Sequence, residues 1–150
     1  MDRYDYMKEA LTLAKKAAEE GEVPVGCVIV KDGSIIACGR NRTLENNCAI
    51  NHAEIDAIKN ASEHLGCENL SECDLYVTLE PCTMCAGAII NSKIRKVVFG
   101  AFDLNYGACG SVIDLFQTPN IHRPECYGGI MEDECSDLLT EFFKKIRTSK

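Results

Sequence analysis

The run Leu75-Tyr76-Val77-Thr78-Leu79-Glu80-Pro81-Cys82-Thr83-Met84-Cys85-Ala86-Gly87-Ala88-Ile89 changes period part-way along. Residues 75–79 are a short apolar, β-prone segment and read as a strand. Beyond Pro81, which suits a helix start, Met84, Ala88 and Ile89 recur at helical spacing and carry a helix to about Asn91. Cys82 and Cys85 stand as C-x-x-C at the head of that helix, where both sulfurs can turn to one side of the first turn. Upstream, His52-Ala53-Glu54 heads a second candidate helix marked by Ala57, Ile58, Ala61 and Leu65 and stopped by Gly66. His52 can add a third ligand to a zinc ion held by the two cysteines. The fourth tetrahedral position is then left for water, as catalytic zinc sites require. Glu54, two residues past the histidine, is free to handle protons.

The remainder falls into elements around these two junctions. Residues 4–20 place Met7, Ala10, Leu11, Ala14, Ala17 and Ala18 on a helical stripe that Gly21 ends. Residues 25–30 and 35–38 read as strands, and the Asp32-Gly33 pair between them signals a hairpin. Residues 41–51 are polar and irregular, delivering the chain to His52. A fourth strand is expected over 96–100 and a loop with a shape to keep over 103–111, where Gly107, Ala108 and Gly110 cluster. Residues 112–116 are a short apolar segment of open type, and a fifth strand near 125–130 is interrupted by Gly128 and Gly129. Cys135, Leu138, Leu139, Phe142 and Ile146 mark the last helix. Alternating strands and helices predict an α/β fold whose mostly parallel sheet is covered on both faces, mixed only by the opening hairpin. At this length one domain over 1–150 with one core is expected. Both motif segments then lie at helix N-termini, whose partial positive charge favours thiolate over thiol.

Composition narrows the class of protein. The chain is 46% hydrophobic and 26% charged, without the run of about 18 apolar residues that a membrane span needs. Met1-Asp2-Arg3-Tyr4-Asp5 lacks the layout of a signal peptide, so a cytoplasmic location is expected. In that setting ten cysteines do not read as a disulfide framework. Cys27, Cys38 and Cys135 lie in apolar patterns and are expected to be small buried hydrophobes. Cys48, Cys67, Cys73, Cys109 and Cys126 show no partner spacing. The net charge of −7 argues globally against a nucleic-acid partner. The charge is uneven, however. Acidic residues 132–141 precede Lys144, Lys145, Arg147 and Lys150, and Lys93, Arg95 and Lys96 form another basic group. That order gives either a local basic surface or a helix whose charges complement its own dipole.

Taken alone, C-x-x-C is a redox pair, half of a structural zinc site, or chance in a cysteine-rich chain. A closed structural site needs a second close Cys/His pair, and none exists. Alone, His52 would be a helix-cap or surface histidine and Glu54 a solvated first-turn carboxylate; His64 and His122 keep the ordinary reading, on a helix surface and in a loop. Together, H-x-E followed by P-C-x-x-C is the signature of zinc deaminases. Two thiolates and a neutral imidazole balance the cation while leaving its bound water acidified. Glu54 would take the water proton and then pass protons to the ring nitrogen and to the departing ammonia.

Further segments extend the likeness. Val23-Pro24-Val25-Gly26, Asn41-Arg42, His52-Ala53-Glu54-Ile55 and the run 79–88 are similar to bacterial tRNA-specific adenosine deaminases, within the cytidine/deoxycytidylate deaminase-like superfamily. So are the runs 97–101 and 107–111 and the late Phe142-Phe143 pair, so that the likeness spans about residues 4–147. The resemblance implies a three-layer α/β/α fold with a five-stranded sheet, a homodimer, one zinc per subunit, and conversion of the wobble adenosine of a tRNA anticodon loop to inosine. It implies His52, Cys82 and Cys85 as ligands, Glu54 as proton shuttle, and Asn41, Ala53, Leu79 and Pro81 as the pocket. It further implies that Lys144, Lys145 and Arg147 meet the anticodon stem-loop. The chain departs from the family at Cys48-Ala49-Ile50-Asn51, and at Leu104-Asn105, where a cation is common. The competing expectations are a deaminase of a free nucleobase or nucleoside, a non-catalytic zinc-stabilised RNA-binding module and, more distantly, a dithiol oxidoreductase.

Overall fold

Asp32 and Gly33 both take positive φ, 51° and 77°, which is the tight turn whose twist matches the flanking strands. They join β1 (Gly26–Lys31) to β2 (Ser34–Arg40) as the expected antiparallel hairpin. The structure is a computed structural model that describes residues 1–148; Lys150 of the basic tail lies outside them. Around the hairpin are α1 (Arg3–Glu19), α2 (Ala53–Leu65), β3 (Cys73–Leu79), α3 (Thr83–Asn91), β4 (Lys96–Ala101), β5 (Glu125–Tyr127) and α4 (Glu132–Thr148). The undecided segment after 111 resolves into a 3-10 turn at Leu115–Gln117.

The five strands form a mixed sheet in the order β2-β1-β3-β4-β5. The expectation of a mostly parallel sheet holds for strand direction, while the pairings divide evenly. β1 is antiparallel to both β2 and β3, whereas β3–β4 and β4–β5 are parallel. Four strands therefore run one way and β1 alone runs against them. The cause is topological: the crossover through α2 carries β3 past β2's partner to the far side of β1.

Alternation along the strands sorts the core into two layers. Cys27 and Ile29, Leu75 and Val77, and Val97 and Phe99 face α2 and α3, where Ala53, Ala57, Ala61, Ala86 and Ile89 pack against them. Val28, Val30, Tyr76 and Val98 face the other way, onto Tyr6, Met7, Ala10 and Leu11 of α1 and Cys135 of α4. The sheet is thus covered by helices on both faces, giving the three-layer α/β/α arrangement. Cys38 is a correction: it is exposed because β2 is the edge strand, with a neighbouring strand on one side only. Cys27, Cys73 and Cys135 are buried.

Two glycines permit the close helix–sheet approach. A Cβ at Gly39 would lie 2.4 Å from both the Ala53 carbonyl oxygen and the Ala57 nitrogen of α2, and one at Gly26 would lie 2.0 Å from the Ala10 carbonyl oxygen of α1. At the far end of α1, Gly21 (φ 81°) lets the Glu22 amide donate to Ala17 and its own amide to Ala18, the pairing that closes a helix with a left-handed residue.

Candidate metal centre and active site

Because β2, β3 and β4 share a direction, their carboxyl ends lie along one edge of the sheet. The connections leaving them begin α2, α3 and the loop after residue 101. β1 runs the opposite way, so its approach, Val23 and Val25, reaches the same edge. Such an edge is where α/β proteins place ligands.

His52 is the residue that caps α2 and Cys82 the one that caps α3, and neither side chain makes a capping hydrogen bond. Both are therefore free to face each other. His52 Nδ1 lies 3.6 Å from Cys82 Sγ and 3.6 Å from Cys85 Sγ. All three ligand atoms lie within 4.8 Å of one another. A tetrahedral zinc with bonds of about 2.3 Å to sulfur and about 2.0 Å to nitrogen needs an N···S edge of about 3.6 Å, so the residues present fit the ion. Pro81 sits two positions before the first helical residue, the role expected of it, since Cys82 takes the cap and Thr83 begins the helix.

The electrostatics are graded across the centre. The Cys85 thiol, followed by His52, donates to Cys82 and pulls its pKa down to about 4. The same sharing with Cys82, reinforced by burial, pushes Cys85 far up. Hydrogen bonding to Cys82 raises His52. Glu54, in the first turn of α2, is only 4% exposed. Burial pushes its carboxyl up to about 7, with the neighbouring Cys82 charge adding to the rise. A carboxyl poised near neutrality can both take and return a proton.

A cavity of about 1040 Å³ opens over this group, lined by His52, Ala53, Glu54, Asn41, Leu79 and Cys82 among others. Asn41 Oδ1 is buried against it with no hydrogen-bond partner, a cost that a bound ligand's donor would remove. Pro81 is buried and is not among the side chains that line the cavity, although Leu79 and Glu80 before it are; its carbonyl accepts from the Ala108 amide at 2.9 Å. The far side of the cavity is made by the 102–107 loop, Val112 and Ile113, and by Ser136, Leu139, Thr140 and Phe143 of α4. Lys144, Lys145 and Arg147 are exposed on the continuation of α4 and do not line it.

Several functional features left no sequence signal. Glu22, 1% exposed, accepts from the Leu44 and Glu45 amides and the Thr43 hydroxyl, holding the loop that follows Asn41. Cys109 and Cys126 have no readable spacing, yet they hydrogen-bond each other, which lowers Cys126 and raises Cys109. Only folding brings such pairs together.

A three-layer α/β/α sheet with a His/Cys/Cys centre and a buried, near-neutral carboxylate defines a zinc-dependent hydrolytic deaminase. Residues 1–101 match the cytidine and deoxycytidylate deaminase zinc-binding region. A tRNA-specific adenosine deaminase of Bacillus subtilis is 47% identical over 146 residues, covering 97% of this chain and 91% of its own. A solved structure from work on A-to-I editing by tRNA:A34 deaminases superimposes with a TM-score of 0.87 at 47% identity, over 90% of this chain and 99% of that one. A guanine deaminase from Nitrosomonas europaea superimposes at 0.82 with 25% identity, over 93% of this chain and 83% of that one. The chain belongs to the tRNA-specific adenosine deaminase family.

Proposed function

We propose that the protein deaminates the wobble adenosine of a tRNA anticodon loop to inosine, releasing ammonia. The observation that carries the reading is the His52/Cys82/Cys85 group set against the buried Glu54 at the floor of one cavity. These three residues would hold the zinc. When bound, the ion supplies an acidified water as nucleophile. Glu54 accepts one proton of that water and passes it to the ring nitrogen, then carries the second, from the oxygen now bonded to the ring carbon, to the departing amine, so that water is consumed and ammonia leaves. Asn41, its amide oxygen lacking a partner, is placed to hydrogen-bond the edge of the base. Ala53 and Leu79 pack the wall.

The size of the cavity favours a base presented with its flanking nucleotides over a free base. About 1040 Å³ lies at the top of the range for small-ligand sites, and its upper wall is exposed: Leu104 is 80% and Tyr106 73% accessible. A nucleotide turned out of its loop brings neighbours that need such a surface. Lys144, Lys145 and Arg147, beyond the α4 residues of that wall, would meet the phosphates. This reading takes residues 1–150 as one deaminase domain acting as a homodimer in the cytoplasm; among the described residues no helix is long and apolar enough to cross a membrane. The guanine deaminase neighbour supports the competing free-base reading. A non-catalytic zinc module would need a fourth protein ligand, and the group found among the described residues has three. The test is incubation of the zinc-loaded protein with an anticodon stem-loop bearing wobble adenosine, beside guanine, cytosine and free adenosine. Inosine from the stem-loop is the expected result; ammonia from guanine or cytosine alone overturns the reading.

A further inference from the structure

Glu80 stands between the strand that ends at Leu79 and the metal-binding Cys82, and it is 2% exposed. Its carboxylate is directed into the loop that follows β4, at the border of the cavity. Oε1 accepts from the Asp103 amide at 3.1 Å and from the Ser111 hydroxyl. Oε2 accepts from the Cys109 and Ser111 amides at 3.0 and 3.1 Å. The next residue's carbonyl, Pro81, takes the Ala108 amide at 2.9 Å, and the Glu80 amide itself donates to Ala101 at 2.9 Å. Residues 103–111 are therefore fastened at both ends and the middle to one dipeptide.

Gly107 shows how tight the fastening is. A Cβ there would lie 2.5 Å from Glu80 Cδ and Oε2 and from the Asp103 carbonyl oxygen. The glycine is required by the approach of the carboxylate to the loop, which is the physical basis of the loop's fixed shape. The same loop carries Phe102, Asp103, Leu104, Asn105 and Tyr106 into the cavity wall. Leu104 and Tyr106 are among the most exposed apolar side chains of the molecule. Such side chains cannot hold their own loop in place by burial. Their position has to be imposed from beneath.

We infer that Glu80 is a positioning residue for substrate recognition: its buried carboxylate pre-organises the 103–111 loop as the outer wall of the substrate site, independently of the zinc ligands. A loop ordered before binding does not have to be ordered by the substrate, so the contribution falls on substrate affinity and not on the chemical step. This rests on the deaminase reading above.

The experiment compares the zinc-loaded wild type with Glu80→Gln and with Ser111→Ala, which removes one donor on the loop and leaves the 79–85 segment unchanged in sequence. In Glu80→Gln one acceptor oxygen becomes a donor facing donors; in Ser111→Ala one hydroxyl is lost. Three quantities are read: kcat and KM on the anticodon stem-loop, zinc content, and amide hydrogen exchange at Asp103, Cys109 and Ser111. The expected result is a KM raised about tenfold or more in Glu80→Gln and less in Ser111→Ala, equivalent to about 1.4 kcal/mol per factor of ten. Zinc stays stoichiometric, kcat stays within about threefold, and the loop amides exchange faster while α2 keeps its protection. Unchanged exchange at the loop overturns the inference. So does zinc loss, or a fall in kcat at constant KM, either of which would place the effect on Cys82. If the wild type makes no inosine, the deaminase reading fails, and the exchange rates still decide whether Glu80 holds the loop.

Discussion

Glu54 and Glu80 are 4% and 2% exposed, yet their surroundings prepare them for opposite tasks. Glu80 is met by three amides and a hydroxyl, so its oxygens are committed to the loop. Burial without comparable donors pushes Glu54 up to about 7, leaving its proton free to move. Replacing Glu54 with Ala should therefore leave zinc bound and abolish turnover, with a loss of about 10²–10⁴-fold from the missing proton transfer alone. Metal analysis and nucleoside analysis of the same sample check it; near-normal inosine formation would remove Glu54 from the mechanism. The ligands should behave differently. Cys85→Ala removes one corner of a three-residue group whose members lie within 4.8 Å, so bound zinc and activity should fall together. Restoring excess zinc should not recover wild-type turnover, because the vacated position opens a second coordination site.

The strand–turn–helix run 75–91 was legible because each segment has a clean period, and so was α2, closed by Gly66 in a left-handed conformation at φ 64°. The metal group was legible for a different reason: its spacing is chemical as well as structural. What escaped the sequence is what depends on tertiary neighbours. β5 is only Glu125–Tyr127: Gly128 packs against the Phe99 ring, which a Cβ would meet at 2.3 Å, and Gly129 leaves the extended conformation at φ 86°. Cys38 looked like a core residue because an edge strand and a central strand share the same local pattern. Glu22 and Glu80 carry no signal in the sequence because their donors come from distant loops. Gly39 belongs to this second group, and it ties the packing of α2 to function. Its hydrogen is all that separates β2 from the backbone of α2 at Ala53 and Ala57. Gly39→Ala should push the helix outward and cost roughly 1–3 kcal/mol as an overpacked contact. Because α2 carries His52 and Glu54, zinc retention should fall in step with stability. Urea unfolding with metal analysis across the titration checks both; full stability in this variant would show that the helix can move without consequence.

At the scale of the whole molecule, a net charge of −7 has to coexist with a polyanionic substrate. The resolution we propose lies in how α4 distributes its charge. Glu132, Asp133 and Glu134 occupy its first turn and Lys145 and Arg147 its last, while Ser136, Leu139, Thr140 and Phe143 border the cavity between them. The helix thus carries its basic end outward from the site. Complementing its own dipole would produce the same order, and the two explanations part on substitution. If the basic residues serve only the helix, replacing Lys144, Lys145 and Arg147 together by Ala should lower thermal stability slightly and leave KM for the stem-loop unchanged. If they meet phosphates, KM should rise by a factor that shrinks as salt is added, since each neutralised phosphate contributes close to one unit to the slope of log affinity against log salt. The value of kcat should stay constant, because none of the three reaches the cavity. We expect the second outcome, with the slope falling by about one to three units. The measurement is KM at several potassium chloride concentrations for wild type and triple variant, and parallel lines would assign the basic end of α4 to the helix alone.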